Sequence, residues 1–202
     1  TTLTQGDLYA SIATFKRCRS VMKLLVGQVD VVETLTPMSF GAFRQRLETA
    51  SGFQSAQFRE LEFLLGYKRP ELLRFHPAGS PAHDRLQRRL AEPSIGHALL
   101  AFLRAHGEAV PEPPVEAGNT ADPAVEEALF RLHRTRPDLL ILFELLTDFD
   151  EGFQEWRYRH IKLVERTIGA RPGTGGSLGV EFLKRSLFNP VFPDLWNVRH
   201  RL

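Results

Sequence analysis

The sequence has 202 residues, of which 43% are apolar and 25% charged, and its formal net charge is +2. This composition excludes a disordered, collagen-like or disulfide-stapled chain, and the nearly balanced charge argues against a nucleic-acid partner. No apolar run approaches the roughly 20 residues of a membrane span, and the single cysteine, Cys18, favours a reducing compartment such as the cytoplasm.

Apolar residues recur at three-and-four spacing along the chain, and no run alternates apolar and polar residues over six positions, so the sequence predicts an all-α fold. We expect a single helical domain over residues 1–202. The first helix is predicted from one apolar stripe between Leu8 and Val32 that includes Leu25. Because proline favours the first position of a helix, helices are predicted to start near Pro37, Pro70, Pro81, Pro93, Pro123, Pro137 and Pro193.

Glycines and proline-rich segments predict where the helices end. Gly66 and Gly107 follow apolar periodic segments and are expected to be left-handed stops, and residues 107–122 are expected to form a surface loop. The longest predicted helix runs from Pro137 to about Ile168. A glycine-rich stretch over residues 171–179 follows it, and a closing helix is predicted from Pro193 to His200.

His160 is the first residue whose position suggests chemistry. It lies on the apolar stripe of the longest helix, one turn after Trp156, whereas Arg157 and Arg159 are assigned to the other faces. An inward histidine either bonds to a core carbonyl or, as a neutral imidazole, ligates a metal or haem iron. No second His or Cys falls at zinc-ligand spacing, so the pattern favours haem over zinc.

Arg44 is the second such residue, because it falls among the apolar positions Phe40, Phe43 and Leu47 of the helix opened by Pro37. A guanidinium there needs an anion, which is either a core carboxylate such as Glu33 or the carboxylate of a bound ligand. The glycine-rich stretch is either a flexible linker or a loop that closes over a small ligand with Thr174 as a donor. Closely spaced carboxylates, such as Asp148 and Asp150, split to different helix faces and do not support hydrolysis.

Five motifs in the same order carry a resemblance to a known family: Glu33-Thr-Leu-Thr-Pro37; Ser51-Gly-Phe-Gln-Ser55 with Gln57-Phe-Arg and Glu62-Phe-Leu-Leu-Gly66; Trp156-Arg-Tyr-Arg-His160; Gly173-Thr-Gly-Gly-Ser177; and Phe192-Pro-Asp-Leu-Trp196. On these motifs the chain resembles tryptophan 2,3-dioxygenase. The resemblance implies a haem-binding helical bundle that uses O₂ to cleave the indole C2=C3 bond of L-tryptophan, giving N-formylkynurenine.

The resemblance also implies roles for individual residues and an assembly. His160 would be the proximal ligand of the iron of haem b, with Trp156, Ser51 and Gly52 beside the haem. The substrate would be bound by Arg44 at its carboxylate and by Thr174 at its amino-acid end, and would also contact Phe40, Leu47 and Ser51. The family is usually a homotetramer, so a homo-oligomer is expected. Anchoring the charged end of the substrate fixes the indole near the oxygen, so positioning would supply much of the catalysis.

The sequence departs from the family pattern in several places. The family's N-terminal segment, which resembles F-I-x-x-H-Q-x-x-E-L-W and carries a distal histidine, has no counterpart in these residues. We therefore expect either a part of a longer protein or a member without the usual distal wall. Phe40 stands where many relatives have Tyr, Val29 replaces an aromatic residue and Leu178 a small one. The alternatives are a monooxygenase acting on a tryptophan derivative in secondary metabolism and a non-catalytic helical binding module.

Overall fold

The computed structural model describes residues 2–47, 54–169, 171 and 180–202, and every regular element within these ranges is helical, as predicted. None of the described helices combines the length and the apolar character needed to cross a bilayer. The α-helices are α1 (Leu8–Val32), α2 (Pro37–Arg44), α3 (Ala56–Leu64), α4 (Pro81–Ala91), α5 (Ile95–Ala105), α6 (Pro123–Thr135), α7 (Pro137–Ile168), α8 (Val180–Lys184) and α9 (Pro193–Asn197). Segments of 3-10 helix cover Gln45–Leu47, Pro70–Phe75 and Val198–Arg201.

The predicted helix starts are confirmed. Proline is the first residue of α2, α4, α6, α7 and α9, and Pro70 opens a 3-10 segment. Pro93 instead precedes Ser94, the N-cap residue of α5. Gly66 and Gly107 have φ angles of +92° and +90°, so both adopt the predicted left-handed conformation after α3 and α5. The closing helix is shorter than predicted, because α9 gives way to 3-10 geometry at Val198.

Helices α1 and α7 pack side by side and run in the same direction. The ring of Phe15, in the first half of α1, meets that of Phe149, near the middle of α7, edge to face with centroids 6.1 Å apart. Further along, a side chain at Gly152 would place its Cβ atom 2.8 Å from Cγ of Met22. The glycine therefore lets the two helices approach closely in the middle of α7.

The main core lies around the first half of α7. It draws buried apolar side chains from α1, α5, α6, α7 and the C-terminal segment, including Phe15, Phe102, Leu129, Leu142, Phe143, Leu146, Phe153, Phe192 and Leu195. A smaller cluster of Phe63, Leu72 and Leu86 joins α3 to α4. A third cluster, made by Ile161, Val180 and Leu187, packs α8 against the second half of α7.

The predicted single stripe on α1 is partly wrong. The residues of α1 that are buried against the rest of the protein are Ser11, Phe15, Met22 and Val29. Leu25 and Val32, which the pattern assigned to the same stripe, are 43% and 44% exposed. Helix α1 has so many apolar residues at three-and-four spacing that they form two adjacent stripes. Spacing alone does not select which of the two stripes packs against the rest of the protein. The second stripe, here called the outer α1 face, consists of the exposed side chains of Val21, Leu24, Leu25, Val31 and Val32.

Asp150 ties the C-terminal segment to α7. Its fully buried carboxylate accepts the backbone N–H groups of Val191 and Phe192 at 2.9 and 3.0 Å and the indole N–H of Trp196 at 2.9 Å. Asp148, two residues earlier, lies at the surface and pairs with Arg19. The two carboxylates therefore lie on different faces of α7, as the sequence predicted.

Candidate functional site

His160 lies on the second half of α7 in a half-buried position, and its ring stacks on that of Trp156. The ring centroids are 5.4 Å apart and the planes differ by 3°. This arrangement follows from the sequence, because residues four apart on a helix lie one above the other. Loss of contact with water lowers the pKa of His160 below its usual value. The ring is therefore neutral at pH 7, which is the form that binds a metal.

The hydrogen bonding of His160 differs from that of three other histidines, His97, His106 and His133. A ring nitrogen bonds to the carbonyl of Pro114 in His97, of Phe102 in His106 and of Leu129 in His133. Within the described part of the chain, neither ring nitrogen of His160 has such a partner. The interpretation of His160 as a core histidine satisfied by a carbonyl therefore finds no support in these contacts.

Trp156 is held by further aromatic rings. Its indole is nearly parallel to the ring of Phe153, at 8° and 6.4 Å, and contacts Phe58 of α3 at 5.5 Å. Tyr67 also stacks on Phe153, with ring centroids 6.3 Å apart. We call the succession Tyr67, Phe153, Trp156 and His160 the ring row; it connects the buried core to the imidazole.

The prediction that Arg157 lies on a face of α7 other than the apolar stripe is wrong. Its side chain is buried, and its guanidinium lies over the rings of Tyr67 and Phe153 at 4.2 and 4.3 Å. It donates to the carbonyl oxygens of Ser186 at 2.8 Å and Asn189 at 3.3 Å. Residue 157 follows Phe153 by four positions and thus shares its face; a planar guanidinium can pack there because it stacks on aromatic rings. That spacing was the signal in the sequence.

Charged side chains cover the flank of the site that faces α1. The carboxylate of Glu33 accepts hydrogen bonds from Arg159 at 3.1 Å and from Arg166 at 2.9 Å, and Arg159 also pairs with Asp30. Glu33, which the sequence offered as one partner for Arg44, is thus bound by two arginines of α7.

The residues predicted to bind a substrate lie around the end of α2. Phe40 and Arg44 are half-buried, Leu47 is exposed, and Phe40 meets Phe43 edge to face at 5.1 Å. A cleft of about 990 Å³ separates α2 from the end of α7 and is lined by Pro37, Met38, Gly41 and Ala42 on one side and by Glu165, Arg166, Thr167, Ile168, Gly169 and Arg171 on the other. Neither Arg44 nor His160 is among these lining residues.

The structure therefore places the predicted site residues in two groups. Trp156 and His160 are brought into contact on α7, and Phe40, Arg44 and Leu47 share α2 and the 3-10 segment after it. Helix α2 packs beside α7. Ser51, Gly52 and Thr174 lie outside the described residues.

The properties of His160 fit a haem ligand. Its imidazole is neutral, half-buried and held by a stacked indole, and its nitrogens are unpaired within the described ranges. A proximal haem ligand requires one such nitrogen in an apolar surrounding. Among the described residues there is no group of three or more His, Cys, Asp or Glu side chains that could hold a metal ion.

Comparison with known proteins gives one consistent result. The family model described as tryptophan 2,3-dioxygenase matches residues 3–119 and 120–202. The chain is similar to the tryptophan 2,3-dioxygenase of Anaeromyxobacter sp. (strain K), with 48% identity over 99% of this chain and 77% of the relative. It is 50% identical to that of Herpetosiphon aurantiacus, over 98% of this chain and 76% of the relative. With that of Caulobacter vibrioides the identity is 38%, over 98% of this chain and 78% of the relative.

Proposed function

The chain belongs to the tryptophan 2,3-dioxygenase family, and we propose that it uses haem b and O₂ to cleave the indole C2=C3 bond of L-tryptophan to N-formylkynurenine. The observation that carries this proposal is the state of His160. Its imidazole is half-buried, stacks on Trp156 and has no hydrogen-bond partner within the described residues, so one ring nitrogen is suited to bind iron. Bound haem would supply the activation of O₂.

The chain's own residues would bind and orient the substrate. Arg44 at the end of α2 is half-buried, where a guanidinium gains more from a carboxylate partner than it does in water. We assign it to the carboxylate of tryptophan, with Phe40 and Leu47 as apolar contacts for the indole. Ser51, Gly52 and Thr174 keep the roles that the family motifs imply, beside the haem for the first two and at the amino-acid end for the third.

The test is the reaction itself. The haem-loaded protein is first reduced under anaerobic conditions. L-tryptophan and ¹⁸O₂ are then added, and the mass of the product is measured by mass spectrometry. We expect both labelled oxygen atoms in a ring-opened product. His160→Ala should abolish turnover, whereas His133→Ala, which removes a half-buried histidine bonded to the Leu129 carbonyl, should retain it. A product with one added oxygen, or no product, would overturn the proposal.

We also propose that the protein assembles through the outer α1 face into a homotetramer. Val21, Leu24 and Val31 are 55%, 62% and 61% exposed, and they follow one another along a single helix. Such a stripe suits packing against the same helix of another subunit. Sedimentation equilibrium should show that Leu24→Glu dissociates the assembly, whereas Lys23→Glu on the same helix does not. If Leu24→Glu kept the molecular mass of the wild-type assembly, the outer α1 face would not be part of the interface.

We propose a cytoplasmic location because the protein's cysteine is a free thiol. Cys18 is the single cysteine of the sequence, and its thiol is free and half-buried on α1. A chain without an internal disulfide is suited to a reducing compartment.

A further inference from the structure

We propose that Trp156 is a positioning residue that sets the plane of the His160 imidazole, and thereby the direction in which that ring lies across a bound porphyrin. The inference rests on the proposed haem function. It goes beyond it by assigning orientation of the ligand to a stacked indole rather than to a hydrogen bond.

A ligating histidine needs something to fix its ring. The χ1 angle of a helical residue is restricted, but the χ2 angle of histidine is broad, so the plane of the imidazole is not set by the backbone. In most metal sites the second ring nitrogen donates to a carboxylate or a carbonyl, and this bond fixes both the tautomer and the plane.

His160 has a different support. No hydrogen bond to its ring nitrogens occurs within the described part of the chain, and its described ring contact is the indole of Trp156. The planes of the two rings differ by 3°. Rotation of the imidazole about χ2 would break this parallel contact and drive the ring edge toward the indole face, so the stack restricts the rotation.

The indole is itself well held, which is what a positioning group requires. It is nearly parallel to Phe153, which is 1% exposed, and it contacts Phe58 from α3. Phe153 is in turn covered by the guanidinium of Arg157. The ring row therefore connects the His160 imidazole to the main core, and the packing of the core fixes the orientation of the imidazole through Phe153 and Trp156.

The orientation of an axial imidazole has a direct spectroscopic readout. In a ferric haem with cyanide on the opposite side, the imidazole plane determines how unpaired spin density is distributed over the four pyrrole rings. The proton NMR shifts of the four haem methyl groups report that distribution. A residue with a merely structural role would leave their order unchanged as long as haem stays bound.

The experiment compares the ferric cyanide complexes of the wild type and of variants of the haem-loaded protein. Trp156→Leu removes the flat ring, so we expect the methyl shifts to change their order or spread. Trp156→Phe keeps a flat ring and should retain the order of the wild type. Tyr158→Leu is the matched control, because Tyr158 is an exposed aromatic residue on the same turn of α7; its spectrum should match that of the wild type.

Phe58→Leu keeps the indole but removes its support from α3, so it tests the proposal even if Trp156→Leu does not fold. We expect a change in the same direction as for Trp156→Leu and of smaller size. The inference would be overturned if the haem methyl shifts of Trp156→Leu matched those of the wild type. If only Phe58→Leu folds, unchanged methyl shifts in that variant would overturn it. Failure of the proposed function is distinguishable, because the wild type would then form no cyanide complex with His160 as the axial ligand.

Discussion

The two halves of α7 are built differently. The first half, residues 137–153, lies in the main core and buries Leu139, Leu142, Phe143, Leu146, Phe149 and Phe153. The second half, residues 154–168, buries only Arg157 and Ile161 and carries the half-buried Trp156 and His160. A single continuous helix thus joins a region that packs in the main core to one that carries the residues proposed to bind haem. The comparison teaches that substitutions in the first half should act on folding, and those in the second half on ligands.

The largest effect is expected for His160→Ala. Removing the imidazole removes the proposed iron ligand, so the Soret band of the haem-reconstituted protein should be lost. The free energy of unfolding of the haem-free protein should change by less than about 1 kcal/mol, since the ring is only half-buried. An unchanged visible spectrum would contradict the assignment and with it the division of α7 into two halves.

Asp150→Ala should be the most destabilising polar substitution in the first half. It leaves the N–H groups of Val191 and Phe192 and the indole N–H of Trp196 without their acceptor. We expect a loss of about 3 kcal/mol in the free energy of unfolding, measured by urea denaturation. Asp148→Ala removes an exposed carboxylate two residues away and should cost less than about 1 kcal/mol. Equal losses in the two variants would refute the role assigned to Asp150.

Arg44→Ala extends the comparison to the helix beside the second half of α7. If Arg44 binds the substrate carboxylate, its removal should weaken L-tryptophan binding by about 2–3 kcal/mol, roughly a hundredfold. Titration of the haem-loaded protein measures this loss. Arg46→Ala is the control, since Arg46 is an exposed arginine two residues away. Unchanged affinity in Arg44→Ala would exclude this residue from the site.

The smallest effect is expected for Asp194, the second residue of α9. Burial raises the pKa of Asp194 from 3.8 to about 6, even though its carboxylate accepts the N–H of Asp122. Between about pH 4 and 6 the folded protein keeps a proton that the unfolded chain has lost, so stability falls as pH rises through this window. Asp194→Asn should therefore stabilise the protein at pH 7 by about 1 kcal/mol and flatten the pH dependence. The prediction would be contradicted if the wild type and the variant had the same unfolding curve at pH 7 and also the same curve at pH 4.5.

Asp148, Asp150 and Arg157 show how far periodicity predicts the surroundings of a charged residue. The spacing of two residues correctly separated the carboxylates onto different faces of α7, and the structure places Asp150 in the core. Arg157 was wrongly assigned to a face other than the apolar stripe, because a pattern of polar and apolar residues separates every arginine from the apolar positions. Its burial depends on the rings of Tyr67 and Phe153 and on the carbonyls of Ser186 and Asn189, and three of these four partners are distant in the sequence.

The sequence by itself determined the local elements: where prolines start the helices, where Gly66 and Gly107 end them, and that Trp156 and His160 lie one above the other on α7. These are short-range consequences of backbone geometry and helical periodicity. Only the tertiary structure decided which stripe of α1 is buried, that Phe58 of α3 supports Trp156 and which arginines bind Glu33. Those contacts join residues far apart in the chain, and they are selected by packing of whole helices rather than by any local pattern.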